Sequence, residues 1–319
     1  MTRVLAALRA NKLNVLLVAA PASWVLHETT PDSPWVFIVA AMSLIPLAGI
    51  IGLGTEELAH RSGPAIGGFL NATFGNAAEL IIAIVALGEG HIELVKASIT
   101  GSIVGNLLLV LGASFFVGGL GRKTQQFDRT SANNAATMLF LAVVALVMPA
   151  VFDLALYGTL TAHPAALDTL SLLTSGVLIV AYGGSLVYAF RAHRDLFRPT
   201  QTHDAHDGHN LSVAQAVSLL AIGTVLTTVQ AEILVSTMQP ALAQFGFTEL
   251  FVGVIVVAII GNAAEHYSAI IAARRDQMTL AVEIAVGSSA QIALLVAPVV
   301  VLYSFALGRP MTMLFNAFE

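Results

Sequence analysis

Residues 75–79 read GNAAE, and the same five letters return at residues 261–265, which lie 186 positions further along the 319-residue chain. The match extends beyond the motif, because 16 of the 46 positions from 67 to 112 are identical at this offset, without a gap. The sequence therefore contains an internal duplication. Both copies lie in long apolar stretches, so each places a carboxylate where hydrocarbon is normally found.

The composition is that of a membrane protein. Hydrophobic residues make up 57% of the chain and charged residues only 10%, whereas soluble domains carry roughly 25% charged residues. A helix needs about 20 apolar residues to cross a bilayer, and nine stretches reach or approach that length. We therefore predict an all-α polytopic membrane protein. The predicted spans are 13–27, 34–54, 64–88, 94–120, 131–152, 166–190, 212–238, 247–272 and 278–306.

Lys and Arg residues are concentrated in alternate loops between these spans. If the N-terminus is cytoplasmic, 12 of the 14 basic residues lie inside, and only Lys96 and Arg309 lie outside. This distribution follows the positive-inside rule and predicts a multi-pass protein of the cell membrane, the bacterial inner membrane, with a cytoplasmic N-terminus. The helix that carries Glu79 then runs outward and the helix that carries Glu265 runs inward. Inverted repeats with polar motifs in matching positions are typical of secondary transporters.

The duplication also predicts the domain organisation. The predicted parts are an extra N-terminal helix (1–30), a first inverted repeat of five helices (34–190), a cytoplasmic linker (191–211) and a second inverted repeat (212–319). The counterparts of the last two helices of the first repeat would fall beyond Glu319. We therefore expect two further helices that this sequence lacks, so that nine to ten of eleven spans are present.

The linker contains a mixture of histidines and aspartates. They could bind a divalent metal and report its cytosolic concentration, but a polar linker explains them more readily, since a short His-rich tract is only a compositional signal. The residues concerned are His203, Asp204, His206, Asp207 and His209.

The two motifs bring oxygen-bearing side chains to membrane depth. Asn76 and Glu79 lie three residues apart and share a helical face, and Asn262 and Glu265 repeat this arrangement. Glycine before each motif predicts an interrupted helix, which is tolerated at membrane depth only beside protein or a water-lined cavity. The neighbouring span and its counterpart add further oxygens from Ser102, Asn106, Ser288, Ser289 and Gln291.

This set of groups is suited to a hard cation. Calcium takes six to eight oxygen ligands, and the chain has no cysteine for a soft-metal site. Burial disfavours a charged carboxylate, so a cation or a proton can neutralise Glu79 and Glu265; that competition is the minimal chemistry of cation/proton exchange. Intramembrane acids are costly and usually functional. For Ser102, Asn106 or Ser289 alone, helix packing is an equally good explanation.

Three further acids are candidates for the ion pathway or for secondary proton sites. Glu57 lies at the inner end of the second span and Glu232 toward the outer end of the seventh, so both could equally be interfacial acids. Glu283 lies one turn before Gly287, and its counterpart in the first repeat is Ala97. It is therefore either an asymmetric proton site or an acid that faces a cavity.

These motifs resemble those of the calcium/proton exchangers of the calcium/cation antiporter superfamily, and the resemblance covers both repeats. Related sodium/calcium exchangers have Ser/Thr- and Pro-containing motifs in place of GNAAE, so the proton-coupled branch fits better. The segments that carry the resemblance are GGFLNATFGNAAEL (67–80), GSIVGNLLLVLG (101–112), GNAAEH (261–266) and GSSAQIALLVAP (287–298).

The resemblance implies that Glu79 and Glu265 bind the transported cation and are exposed alternately to the two sides of the membrane. It implies that the substrates are calcium and protons and that the protein is surrounded by membrane lipid. It also implies no resident cofactor, no nucleic-acid partner and no enzymatic activity, and it leaves open whether the protein forms a homo-oligomer. A sodium-coupled or broad-specificity exchanger is the nearest alternative, and a passive cation channel is another. The residues that would complete the site are Asn76, Asn262, Ser102, Ser288, Gln291 and Asn106.

Overall fold

The structure, a computed structural model, describes residues 4, 6–8, 11–158, 164–192 and 211–315. Over these residues the chain forms helices joined by turns and contains no strand, which confirms the all-α prediction. The predicted linker lies almost entirely outside the described residues, and so do its histidines and aspartates.

In the first half a short 3-10 helix, Lys12–Val18, precedes α1 (Ala19–Thr29), α2 (Pro34–Arg61), α3 (Gly63–Phe74), α4 (Ala77–Glu89), α5 (Ile92–Val104), α6 (Leu111–Gly119), α7 (Arg129–Tyr157) and α8 (Pro164–Ala192). The helices of the second half are α9 (Val213–Ser236), α10 (Met238–Phe245), α11 (Glu249–Phe251), α12 (Ala258–Gly261), α13 (Ala263–Arg274), α14 (Met278–Gln291) and α15 (Ala297–Ala306).

Six helices in the described part of the chain are long and apolar enough to cross a membrane, so this is an integral membrane protein. They are Pro34–Arg61, Ile92–Gly119, Arg129–Tyr157, Ala166–Val187, Val213–Ser236 and Met278–Ala306. A further pair, Met238–Phe245 and Glu249–Gly261, is bent by 109°. The total number of spans therefore stays a prediction. Both stretches that carry GNAAE are interrupted at the motif, as the glycines predicted.

Three π-helical segments lie within the long helices, and the sequence did not predict them. Gly105–Val110 joins α5 to α6, and Ile292–Val296 joins α14 to α15. These two segments occupy matching places in the duplication. The third, Val252–Val257, lies between α11 and α12. Segments of this kind are rare and often occur at functional sites.

The described helices divide into two compact units, and each takes segments from both sequence repeats. The first unit comprises Met1–Val85, Ser185–Thr248 and Ile260–Ala264; the second comprises Ala86–Gly184, Glu249–Ile259 and Glu265–Glu319. The repeats of the sequence are thus not the units of packing.

The core of the first unit is the close contact of α2 with α9. A Cβ atom added to Gly54 would lie 2.9 Å from the carbonyl oxygen of Ala216, so only glycine allows this approach. Small residues of this kind are the usual means by which membrane helices pack. A buried hydrogen-bonded group adds to the contact, because Gln230 Oε1 accepts from Ser23 Oγ at 2.6 Å and from Ser43 Oγ at 2.9 Å.

Two polar contacts in the second unit join residues that are far apart in the sequence. Arg122, which follows α6, donates to the carbonyl oxygen of Arg274 at the end of α13. Lys96, near the start of α5, donates to the carbonyl oxygen of Leu314 at 2.7 Å.

The second unit also contains tight glycine contacts. A Cβ atom at Gly101 on α5 would lie 2.4 Å from the carbonyl oxygen of Val254, and one at Gly253 would lie 2.5 Å from Ala97 Cβ. Helix α5 therefore lies directly against the backbone of the π-helical segment Val252–Val257.

Candidate functional site

Each motif glutamate lies in the first turn of a helix that begins at the interruption. Helix α3 ends at Phe74 and α4 begins at Ala77, which places Glu79 in the first turn of α4. Glu265 is likewise in the first turn of α13. The positive end of the helix dipole stabilises an anion at this position. The interruption is short, since Gly75 keeps helical angles with φ −56° and ψ −38°.

In the first unit Glu79 is buried, with 8% of its surface exposed, and its side chain lies against Gly261 of the second motif. A Cβ atom at Gly261 would be 3.1 Å from Glu79 Cγ and 3.2 Å from Oε1. The two motif asparagines, Asn76 and Asn262, are buried at 1% exposure each. The structure thus brings the glycine of one motif against the glutamate of the other.

In the second unit the side chain of Glu265 lies close to that of Ser288. The hydroxyl of Ser288 accepts a hydrogen bond from Asn106 Nδ2 at 3.3 Å, and Asn106 Oδ1 lies 3.0 Å from His266 Nε2. Among the described residues, Glu265 Oε2 is buried and has no hydrogen-bond partner. Two of the predicted site residues, Asn106 and Ser288, therefore belong to one hydrogen-bonded group beside Glu265.

The other predicted serines and glutamine differ in their surroundings. Ser289 is fully buried and donates to the carbonyl oxygens of Ala285 at 2.9 Å and Ile103 at 3.3 Å, so its contacts are those of helix packing. Ser102 is buried at 3% exposure, and Gln291 is partly buried. Both remain candidates for the site.

The secondary acids lie in three different environments. Glu57 is buried at 9% exposure, whereas Glu232 is exposed. Glu283 is partly buried in the second unit, where its Oε1 accepts a hydrogen bond from the hydroxyl of Ser131 on α7. Glu283 is therefore held by a neighbouring helix, and Glu232 faces outward.

His266 and Ser131, which lie near these acids, and the buried acid Asp153 were not among the predicted site residues. His266 interrupts the duplication, because its counterpart is Leu80, and this difference was a readable signal. Ser131 had no such signal. Asp153 is fully buried within α7 and could have been noticed as an acid at the end of an apolar span.

No three His, Asp or Glu side chains come together as a metal site within the residues the structure describes. A cation held by Glu79 or Glu265 would therefore take its remaining ligands from amide, hydroxyl and backbone oxygens. Such ligands suit a hard cation.

Apolar spanning helices, a duplicated polar motif and acids at interrupted helices together define a secondary transporter. The family model of the sodium/calcium exchanger protein matches residues 33–191 and 215–318, so the chain belongs to this family.

Curated relatives are similar over almost the entire chain. The Ca(2+)/H(+) antiporter of Synechocystis sp. is 41% identical over 320 residues, covering 96% of this chain and 85% of the relative. The Ca(2+)/H(+) antiporter ChaA of Bacillus subtilis is 42% identical over 312 residues, covering 96% and 87%.

Solved structures share the fold. Native YfkE superimposes with a TM-score of 0.80 at 40% identity, over 96% of this chain and 86% of that chain. The H+/Ca2+ exchanger CAX superimposes with a TM-score of 0.70 at 16% identity, over 96% and 77%. The second similarity, at this low identity, concerns the fold alone.

Proposed function

We propose that this protein is an antiporter that exports cytosolic calcium in exchange for protons that enter the cell. The observation that carries the proposal is the pair of motif glutamates, Glu79 buried and Glu265 partly buried, each in the first turn of a helix that starts at an interruption. The names of relatives about 40% identical over nearly the whole chain support the choice of calcium and protons.

In this proposal Glu79 and Glu265 bind the cation, and protons replace it when the carboxylates face the outside. The helix N-termini beneath them lower the cost of holding negative charge in the membrane, and the bound cation or proton neutralises it. Loss of the proton toward the inside then restores the site for calcium. The residues proposed to complete the cation site are Asn76, Asn262, Ser102, Asn106, Ser288 and Gln291.

The repeats at 34–190 and 212–319 would supply the alternating access, with residues 1–30 as an additional helix and the linker at 191–211 in the cytoplasm. The membrane would be the bacterial inner membrane, with the N-terminus inside. Glu283 is the favoured secondary proton site because Ser131 holds it. Buried Glu57 is a second pathway candidate, and exposed Glu232 is the weakest of the three.

The test uses everted membrane vesicles, in which the cytoplasmic face of the protein is on the outside. An acidic lumen should drive uptake of radioactive calcium by the wild-type protein, and Glu79→Gln or Glu265→Gln should abolish it. Glu93→Gln is the matched control, because Glu93 is an exposed acid that lies outside the motifs. Unchanged uptake in either motif variant would refute the assigned roles.

The same vesicles distinguish the alternatives. A sodium gradient that drives uptake as well as the pH gradient would favour a sodium-coupled exchanger. Uptake that needs no counter-gradient and does not saturate would identify a passive channel. Competition by other divalent ions would measure the cation preference.

A further inference from the structure

Hydrogen bonds in the second unit join His266, Asn106 and Ser288, and Ser288 lies beside Glu265. Asn106 Nδ2 donates to Ser288 Oγ at 3.3 Å, and Asn106 Oδ1 lies 3.0 Å from His266 Nε2; the side chain of Ser288 is close to that of Glu265. His266 follows Glu265 directly in sequence, yet it reaches the surroundings of the carboxylate through side chains of two other helical segments. Asn106 and Ser288 are buried, at 1% and 4% exposure.

The Asn106 amide fixes which group donates and which accepts in these hydrogen bonds. Asn106 Nδ2 can only donate, so Ser288 Oγ must accept from it, and the single hydroxyl hydrogen of Ser288 remains for the carboxylate of Glu265. Asn106 Oδ1 can only accept, so His266 Nε2 must carry a hydrogen and donate it. This assignment follows from the hydrogen-bond network. Both hydrogen bonds then point from His266 toward Ser288.

The direction matters for a cation ligand. A serine hydroxyl has one hydrogen and two lone pairs. With one lone pair accepting from Asn106, Ser288 keeps its hydrogen for the nearby carboxylate of Glu265 and its second lone pair for a cation. If Asn106 turned over, its carbonyl would compete with Glu265 for the hydroxyl hydrogen, and that orientation of Ser288 would be lost.

We propose that His266 is a positioning residue, which fixes the amide of Asn106 and thereby orients Ser288 for cation binding beside Glu265. The inference rests on the proposed function, since it assumes that Glu265 binds the cation. Asn106 lies in the π-helical segment Gly105–Val110, which presents its side chain to both neighbours. The first repeat has Leu80 in place of His266, so this device serves only the second glutamate.

The test compares substitutions that remove or keep the donor. His266→Leu, which introduces the residue of the first repeat, should raise the KM for calcium uptake in everted vesicles about three- to tenfold, as expected for one lost hydrogen bond. The maximal rate should stay close to that of the wild type. His266→Gln, which can donate from its amide, should restore most of the affinity, and the exposed neighbour variant Tyr267→Phe should have no effect.

A double-mutant cycle separates positioning from a general structural role. His266→Leu added to Asn106→Ala should raise KM no further than Asn106→Ala alone, because both changes break the same chain. Calorimetric titration of calcium into the purified protein should show the same pattern without transport. Thermal unfolding in detergent checks that each variant is folded, and His266→Met replaces His266→Leu if the latter unfolds.

The outcomes keep the two proposals apart. If the wild-type protein shows no uptake driven by a pH gradient, the proposed function is wrong. If the wild-type protein transports calcium and His266→Leu retains its KM, or if the two changes add independently, only the positioning role is overturned. Failure of His266→Gln to recover affinity would also overturn it.

Discussion

The contact between Gly261 and Glu79 leads to a sharp prediction for Gly261→Ala. The new Cβ would lie 3.1 Å from Glu79 Cγ and 3.2 Å from Oε1, whereas two carbon atoms normally rest about 3.5–4.0 Å apart. The carboxylate must therefore retreat by about half an ångström. A small overpacking of this kind costs roughly 1–2 kcal/mol, which we expect to appear as a roughly five- to 25-fold loss of calcium affinity.

The assay is calcium uptake into everted vesicles under a fixed pH gradient, with KM taken from the calcium dependence and the maximal rate corrected for the amount of folded protein. Gly112→Ala is the matched control, because it adds the same methyl group to a membrane helix where a Cβ meets nothing within 4 Å. The control should keep the KM of the wild type. A Gly261→Ala variant that also keeps it would refute the inference that this glycine positions Glu79.

Three further variants test the packing and the secondary acid. Gly101→Ala should strongly lower the unfolding temperature in detergent, because the added Cβ would lie 2.4 Å from the backbone oxygen of Val254. Gly105→Ala is the control and should change that temperature little, since its Cβ would have no atom within 4 Å. Equal unfolding temperatures of the two variants would contradict the packing. Gln230→Leu removes the acceptor of the Ser23 and Ser43 hydroxyls. It should lower the free energy of unfolding by about 1 kcal/mol, measured by thermal unfolding, and leave transport intact. A loss of transport in the folded variant would point to a role beyond packing. Glu283→Gln should slow proton-driven uptake but leave calcium affinity in calorimetry unchanged, and an unaffected rate would remove Glu283 from the pathway.

Much of the fold could be predicted from the sequence, because the internal duplication is directly visible as repeated residues. The duplicated GNAAE, with glycine at its start, predicted an interruption at the same place in both repeats, and both interruptions are present. The π-helical segments could not be predicted, since they depend on how α5 and α14 meet their neighbours. The division into two units mixes the repeats, and nothing local in the sequence indicates it.

The candidate site was predictable as a set of residues but not as a set of contacts. Asn106 and Ser288 were identified from their chemistry and place in the repeat, yet they are 182 residues apart, and only the fold brings them together. His266 was visible as the residue that breaks the repeat at Leu80. Its bond to Asn106 depends on a neighbouring helix, so its position in the sequence alone gave it no role.

The central claim is that both motif glutamates are required to bind the transported calcium. Calorimetric titration of calcium into the purified protein at neutral pH tests it most directly, with the wild type compared with Glu79→Gln and Glu265→Gln. The account predicts saturable binding to the wild type and loss of that binding in both variants, with Glu93→Gln unchanged. Binding of wild-type affinity in either motif variant would contradict it.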